Sequence, residues 1–321
     1  GEKKSGWIPR PHDSATAKGE LTVKKKRSLR YGRLERKDFK WIYLFLLPSL
    51  VVFALFYAEP IFVLIRTSFT KWDGFNPPRF IGLKNYARLF TNSAASMSLK
   101  NLLYWTLIAL VIHVGYGVVV AFIWFFKPKG WKLSRAVYMI PNVISPAAFA
   151  LIFRFLLNNE VGVLNVIIRK IFPEFNVQWF SVSPYAFWAV TFIWLFYAVV
   201  VSLVVYNDLM AVPSSLTEAA KLDGASGWHI IRHIYLPLCH NSIGTAIICS
   251  ITSRIAMYEA IALTTSGGPG SDTMSLSVLM MRAILDYNYG FANAIGVVMF
   301  LFGILILLVV NKVCRMGKAD Y

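Results

Sequence analysis

Six stretches of this 321-residue chain stay apolar for about 20 residues, and that length decides most of what it can fold into. A helix needs about 20 apolar residues to cross a bilayer core. The stretches fall at residues 41–69, 102–126, 136–157, 185–206, 243–263 and 292–310. In lipid every backbone N–H and C=O must find its partner inside the protein, which favours helices. The pattern therefore predicts an all-α integral membrane protein. A hydrophobic content of 57% agrees, because a soluble domain needs more polar surface than this chain can supply. The first stretch is interrupted by Glu59 and Pro60, and the third carries Pro141 and Pro146. Membrane helices tolerate proline where neighbours take up the freed carbonyls, so both are expected as packed members of a bundle.

Charge sets the expected orientation. Residues 1–40 hold 13 of the 33 Lys and Arg, among them Lys24, Lys25, Lys26, Arg27 and Arg30. A hydrophobic run follows directly, so this tail reads as a cytoplasmic anchor on anionic lipid heads and not as a nucleic-acid arm. It is longer than the n-region of a signal peptide, and no cleaved signal is expected. With both termini inside, internal segments carry 22 Lys and Arg and external loops 8. The tail decides that difference. The expected organisation is a basic tail at 1–40, a transmembrane domain at 41–315 and a short cytoplasmic end at 316–321.

Cys239, Cys249 and Cys314 are too few and too scattered for a disulfide framework or a metal site. No H-E-x-x-H, G-x-S-x-G or paired membrane aspartates appear, which argues against an intramembrane enzyme. There is no G-x-x-x-x-G-K-[ST] loop either, so the chain is expected to bind no ATP itself.

The segment 207–240, between the fourth and fifth stretches, is the most informative. Pro213-Ser214-Ser215-Leu216-Thr217-Glu218 reads as a helix start, with Ser215 as cap and Glu218 completing a capping box. The helix runs to Asp223, and Gly224 stops it by taking positive φ without penalty. A second short helix is expected over 226–233, with Pro237 closing the unit. Elsewhere, 160–180 suits a short interfacial helix, the Ser266–Ser271 stretch is a breaker, and 274–287 reads helical again, lying against the outer surface.

Glu218-Ala219-Ala220, then Gly224, then Ile234, Leu236 and Pro237 stand at the spacing E-A-A-x3-G-x9-I-x-L-P. This resembles the coupling motif of ABC importer permeases. Phe80-Ile81-Gly82-Leu83-Lys84-Asn85-Tyr86 and Thr265-Ser266-Gly267-Gly268-Pro269 are similar to stretches of the carbohydrate branch, the maltose-type binding-protein-dependent sugar permeases. Ser266 stands where that branch has a glycine. The resemblance covers residues 40–315 and leaves the basic tail outside. It implies a six-transmembrane-helix type I importer permease of the bacterial inner membrane with a cytoplasmic coupling helix. Glu218, Ala219, Ala220, Asp223 and Gly224 would then contact a separate ATP-binding subunit, with Ile234, Leu236 and Pro237 completing the motif. It further implies a second permease subunit, two ATP-binding subunits that hold ATP and magnesium, an external solute-binding protein and a saccharide substrate. A permease for an amino acid, peptide or oxyanion is the alternative; a channel would have no use for the coupling motif.

Three arginines fall within the spans. Arg66 and Arg154 sit near span ends and can snorkel. Arg254 is the twelfth residue of its stretch, near the midplane, and should face the bundle interior. Ser250 and Tyr258 share its face at i−4 and i+4, and Glu259 does not. An interhelical charge pair and substrate contact remain open for Arg254. Substrate contact would favour carboxylates or multiple hydroxyls, as in an acidic oligosaccharide of the alginate type. Asn142, Trp194 and Tyr197 are further candidates for the substrate path, through hydrogen bonding or stacking on a sugar.

Overall fold

The computed structural model describes residues 36–314 and Met316, with side chains from Trp41 onward. Most of the expected basic tail and of the C-terminal end therefore lies outside the described residues. The chain divides into two units, Gly1–Ile61 and Phe62–Tyr321.

Helix α1 spans Trp41–Ser68. It stays helical through Pro60, with a wide π turn at Ala54–Ala58 ending two residues before that proline. Proline donates no N–H, so a local change of register is a low-cost way to keep the helix continuous.

In the second unit, strands β1 (Thr70–Lys71) and β2 (Arg79–Phe80) pair antiparallel, with Thr70 opposite Phe80. Helix α2 (Lys84–Thr91) follows. The Phe80–Tyr86 stretch is a clamp: Asn85 Nδ2 donates to Ser68 O at 2.8 Å and Thr70 O at 2.9 Å, and Tyr86 Oη lies 2.6 Å from Ser68 Oγ. Helix α3 (Ser93–Phe126) begins nine residues before the apolar run, because Asn92 Oδ1 caps it by accepting from Ala95 N at 3.0 Å.

The third stretch is not one packed helix. It is α4 (Trp131–Val143) and α5 (Pro146–Leu156), bent by 104°. Pro146 disfavours helical φ/ψ for the residue before it. Ser145 accordingly turns extended (φ −62°, ψ 146°) and caps α5 by accepting from Ala148 N at 3.2 Å. The short α6 (Val163–Arg169) lies in the expected interfacial stretch.

The fourth span also divides, into α7 (Tyr185–Leu195) and α8 (Val199–Ala211). The coupling loop carries α9 (Ser214–Leu222) and α10 (Gly227–Leu238). A 70° bend leads into α11 (His240–Ile255). The expected fifth span ran on to 263, but the helix ends eight residues sooner. Ser277 Oγ donates to Ile255 O at 2.8 Å and Ser275 Oγ to Met257 O at 3.1 Å, supplying from a distant segment the partners that the helix would have given. A short turn of helix, α12 (Glu259–Ala262), follows.

Helices α13 (Leu276–Leu285) and α14 (Tyr289–Val313) complete the chain. Contrary to the surface position expected for 274–287, Leu276, Val278 and Leu279 are buried. Their helix packs on α14 and α3. Four spans long and apolar enough to cross a membrane (α1, α3, α7 with α8, and α14), plus the two bent pairs each taken as one span, give six by length and composition among the described residues.

The interior of the second unit has two apolar clusters. One gathers Trp105, Val190, Trp194, Ile255, Met274 and Ile295. The other, at the coupling-loop end, gathers Trp124, Ala198, Val205, Leu209, Ile230 and Tyr235. The break between α7 and α8 lies on the seam between them.

Candidate functional site

Two regions carry chemistry that the fold does not need for itself. The first is the coupling loop. Helix α9 starts at Ser214, one residue before the expected cap, and Pro213 precedes it in extended geometry (φ −62°, ψ 130°). No side chain caps this end. Ser215 and Glu218 therefore form no capping box, and Thr217 Oγ1 instead donates to Ser214 O at 2.8 Å.

The other end of α9 is as the sequence predicts. Gly224 has φ +81°, its N–H donates to Lys221 O at 3.1 Å, and Ala225 N donates to Ala220 O at 2.9 Å. That pair of bonds is a Schellman motif. Ser226 Oγ then accepts from His229 N at 3.3 Å and starts α10. Two tight ends fix α9 against α10.

Burial separates the motif residues. Glu218, Ala219, Asp223 and Gly224 are exposed, and Ala220 is half-buried. Ile234 and Leu236 are half-buried, Pro237 is exposed, and the neighbouring Tyr235 is buried with its ring 5.0 Å from that of Phe125 on α3. So α10 is anchored on the span bundle while α9 presents a free face. Leu222 and Trp228 extend that face, at 90% and 68% exposure. Sequence reasoning missed both; the signal was two bulky apolar residues in a polar loop. A cleft of about 560 Å³ beside them is lined by Asp223, His229 and His233 among others.

The second region lies at the seam, where three spans lose helical geometry: at 144–145, 196–198 and 256–258. Backbone groups freed there are taken up by side chains. His113 Nδ1–H donates to Leu195 O at 2.9 Å, and Tyr138 Oη accepts from Ala198 N at 3.0 Å. The predicted residues Asn142 and Tyr197 meet across two of the breaks, with Tyr197 Oη donating to Asn142 Oδ1 at 2.7 Å.

The predicted Trp194 and Arg254 also meet. The guanidinium carbon stands 4.2 Å from the Trp194 ring centroid, within cation–π range. His113 contacts the same ring edge-on at 5.6 Å. Arg254 lies in the last turn of α11, not in mid-helix as expected. Because α11 ends at Ile255, Tyr258 is beyond the helix and the expected i+4 relation with Arg254 does not exist. Ser250 keeps its i−4 position. Glu259 opens α12 and forms no ion pair with Arg254, whose Nη1 approaches only Met257 Sδ, at 3.9 Å. Arg154 lies exposed in the last turn of α5 and donates to Leu263 O at 3.1 Å.

Residues 113–315 match the family described as "Binding-protein-dependent transport system inner membrane component". A "Probable ABC transporter permease protein YurN" of Bacillus subtilis (strain 168) is 30% identical over 284 residues, covering 87% of this chain and 97% of that protein. The "Multiple sugar-binding transport system permease protein MsmF" of Streptococcus mutans serotype c is 28% identical over 264 residues, covering 81% and 90%. Among solved structures, a chain of a bacterial ABC transporter involved in the import of the acidic polysaccharide alginate superposes with a TM-score of 0.73 at 22% identity, covering 88% of this chain and 98% of that one. At that identity the likeness concerns the fold.

Proposed function

This chain belongs to the family of binding-protein-dependent transport system inner membrane components, and from that premise we propose that it is the permease subunit of an ATP-driven saccharide importer. It forms part of the translocation path across the inner membrane. The observation that carries the reading is the coupling loop: a helix locked at Gly224 and backed by an anchored second helix, with its outer face free. A stiff element of this kind transmits a push to both spans it joins. Those spans end at the breaks near Trp194 and Arg254, where the solute would pass as the bundle rocks between two access states.

The partners follow from the same reading. Glu218, Ala219, Ala220, Asp223 and Gly224 dock on one of two ATP-binding subunits, which hold ATP and magnesium. This chain binds neither. A second permease subunit completes the path, and an external solute-binding protein delivers the substrate. The coupling loop and both termini are cytoplasmic. A saccharide is favoured over an amino acid, peptide or oxyanion by the sugar-permease name of the Streptococcus mutans relative and by the Phe80–Tyr86 and Thr265–Pro269 stretches.

The test is to co-purify the chain with its partners and measure ATP hydrolysis in lipid nanodiscs with the solute-binding protein and a saccharide panel. Stimulation by a saccharide is expected. ATP hydrolysis by this chain alone, or stimulation only by amino acids or peptides, would refute the proposal.

A further inference from the structure

Around Arg254 three buried polar groups go unpaired. Arg254 Nε, Trp194 Nε1 and Ser250 Oγ are all sealed from solvent, and none has a partner. Guanidinium and indole N–H groups can only donate, and buried donors left without an acceptor are costly. The nearest neighbours do not help. His113 commits Nδ1–H to Leu195 O, and Met257 offers a weak sulfur acceptor at 3.9 Å. Among the described residues no carboxylate pairs with Arg254. The guanidinium is charged wherever it sits, and an unpaired charge within a bilayer is expensive.

The side chain is also held in place. Its guanidinium lies on the Trp194 ring at 4.2 Å, and that ring is braced on its other contacts by His113 at 5.6 Å. Arg254 keeps part of its surface accessible, so an incoming group can reach it. A positioned, partly open cation with donors beside it calls for an anion.

The geometry points to an anion subsite at Arg254, Trp194 and Ser250 for a carboxylate or sulfonate carried by the transported solute. It rests on the permease reading above and narrows the saccharide class to acidic ones. A carboxylate would take a charge-assisted pair of bonds from Arg254. A neutral saccharide would satisfy some donors and leave the charge uncompensated.

The experiment uses the complete reconstituted importer in proteoliposomes with saturating solute-binding protein. Uptake is compared for hexuronate oligosaccharides, the same oligosaccharides after carboxyl reduction, and an acidic dipeptide. The wild type should move the charged oligosaccharide at least about 10-fold faster than its reduced form, in line with a lost hydrogen bond to a charged group. Arg254→Gln should erase that preference, and Arg254→Lys should keep part of it. Equal uptake of charged and reduced oligosaccharides by the wild type overturns the subsite, whatever the variants do, and leaves a saccharide importer standing. Uptake of the dipeptide alone would keep the anion subsite and sink the saccharide reading. A charge preference that survives in Arg254→Gln also overturns the assignment.

Discussion

Gly224 gives the sharpest test of how the coupling loop works. Its φ of +81° is one that residues with a Cβ rarely adopt. A Cβ built there would meet nothing within 4 Å. Any cost of Gly224→Ala is therefore conformational, about 1–2 kcal/mol for holding a Cβ-bearing residue in left-handed geometry. A penalty of that size makes the locked form of the loop roughly 5- to 30-fold less populated relative to unlocked alternatives. Gly224→Val should cost more, since β-branched residues are the poorest in this region. Gly224→Asn should cost least, because asparagine visits left-handed geometry readily. The assay is saccharide-stimulated ATP hydrolysis and uptake by the reconstituted importer. The expected order of activity is Gly, Asn, Ala, Val. If Asn fails as badly as Val, space on the docking face matters and backbone geometry does not. If Val matches wild type, the Schellman lock plays no part in coupling.

Other outcomes can be checked alongside. Gly117→Val should separate α3 from α8, because even a Cβ there would stand 2.5 Å from Val201 Cγ1; thermal melting of the purified complex should fall by several degrees. Ser277→Ala leaves Ile255 O without its 2.8 Å donor and should destabilise the complex by about 1–3 kcal/mol, read in the same melt. Leu222→Asp should weaken co-purification of the ATP-binding subunits while leaving the span bundle folded, since Leu222 touches little of this chain. Asp73 has its carboxyl held below the ordinary 3.8, first by the Asn76 side chain at 2.6 Å and then by the Asn76 and Phe75 backbone N–H groups. Its help to the turn is therefore present above that value and is lost as pH falls through the lower folded value. Amide exchange at Phe75 and Asn76 should quicken only at that acid limit, and Asp73→Ala should quicken it at neutral pH.

The spans were legible because apolar runs of the required length have few other uses. The Gly224 stop was legible for a similar reason: a glycine after Glu218–Asp223 is a local signal, and local backbone geometry decides it. The helix breaks were less so. Pro141 and Pro146 fit a continuous membrane helix as well as a broken one, and only Ser145 capping α5 decides between them. The early end of α11 depends on Ser275 and Ser277, some twenty residues downstream, which no pattern within the helix reveals. Counting along an assumed helix therefore put Arg254 in mid-span and Tyr258 on its face, while its neighbour Trp194 came from a different span. Ser215 failed as a cap because Pro213 set the chain direction two residues earlier.

Helix α8 joins the coupling loop directly to the seam, so it works as a lever. Its 13 residues make a rod of about 20 Å at 1.5 Å per residue. A tilt of about 5° imposed at Ala211 would carry the far end, at Val199, through roughly 1.7 Å on that length. The bond from Ala198 N to Tyr138 Oη is 3.0 Å long and would not survive such a displacement, nor would the neighbouring Tyr197–Asn142 contact. A small rotation at one surface is thereby turned into a switch of polar partners a helix-length away.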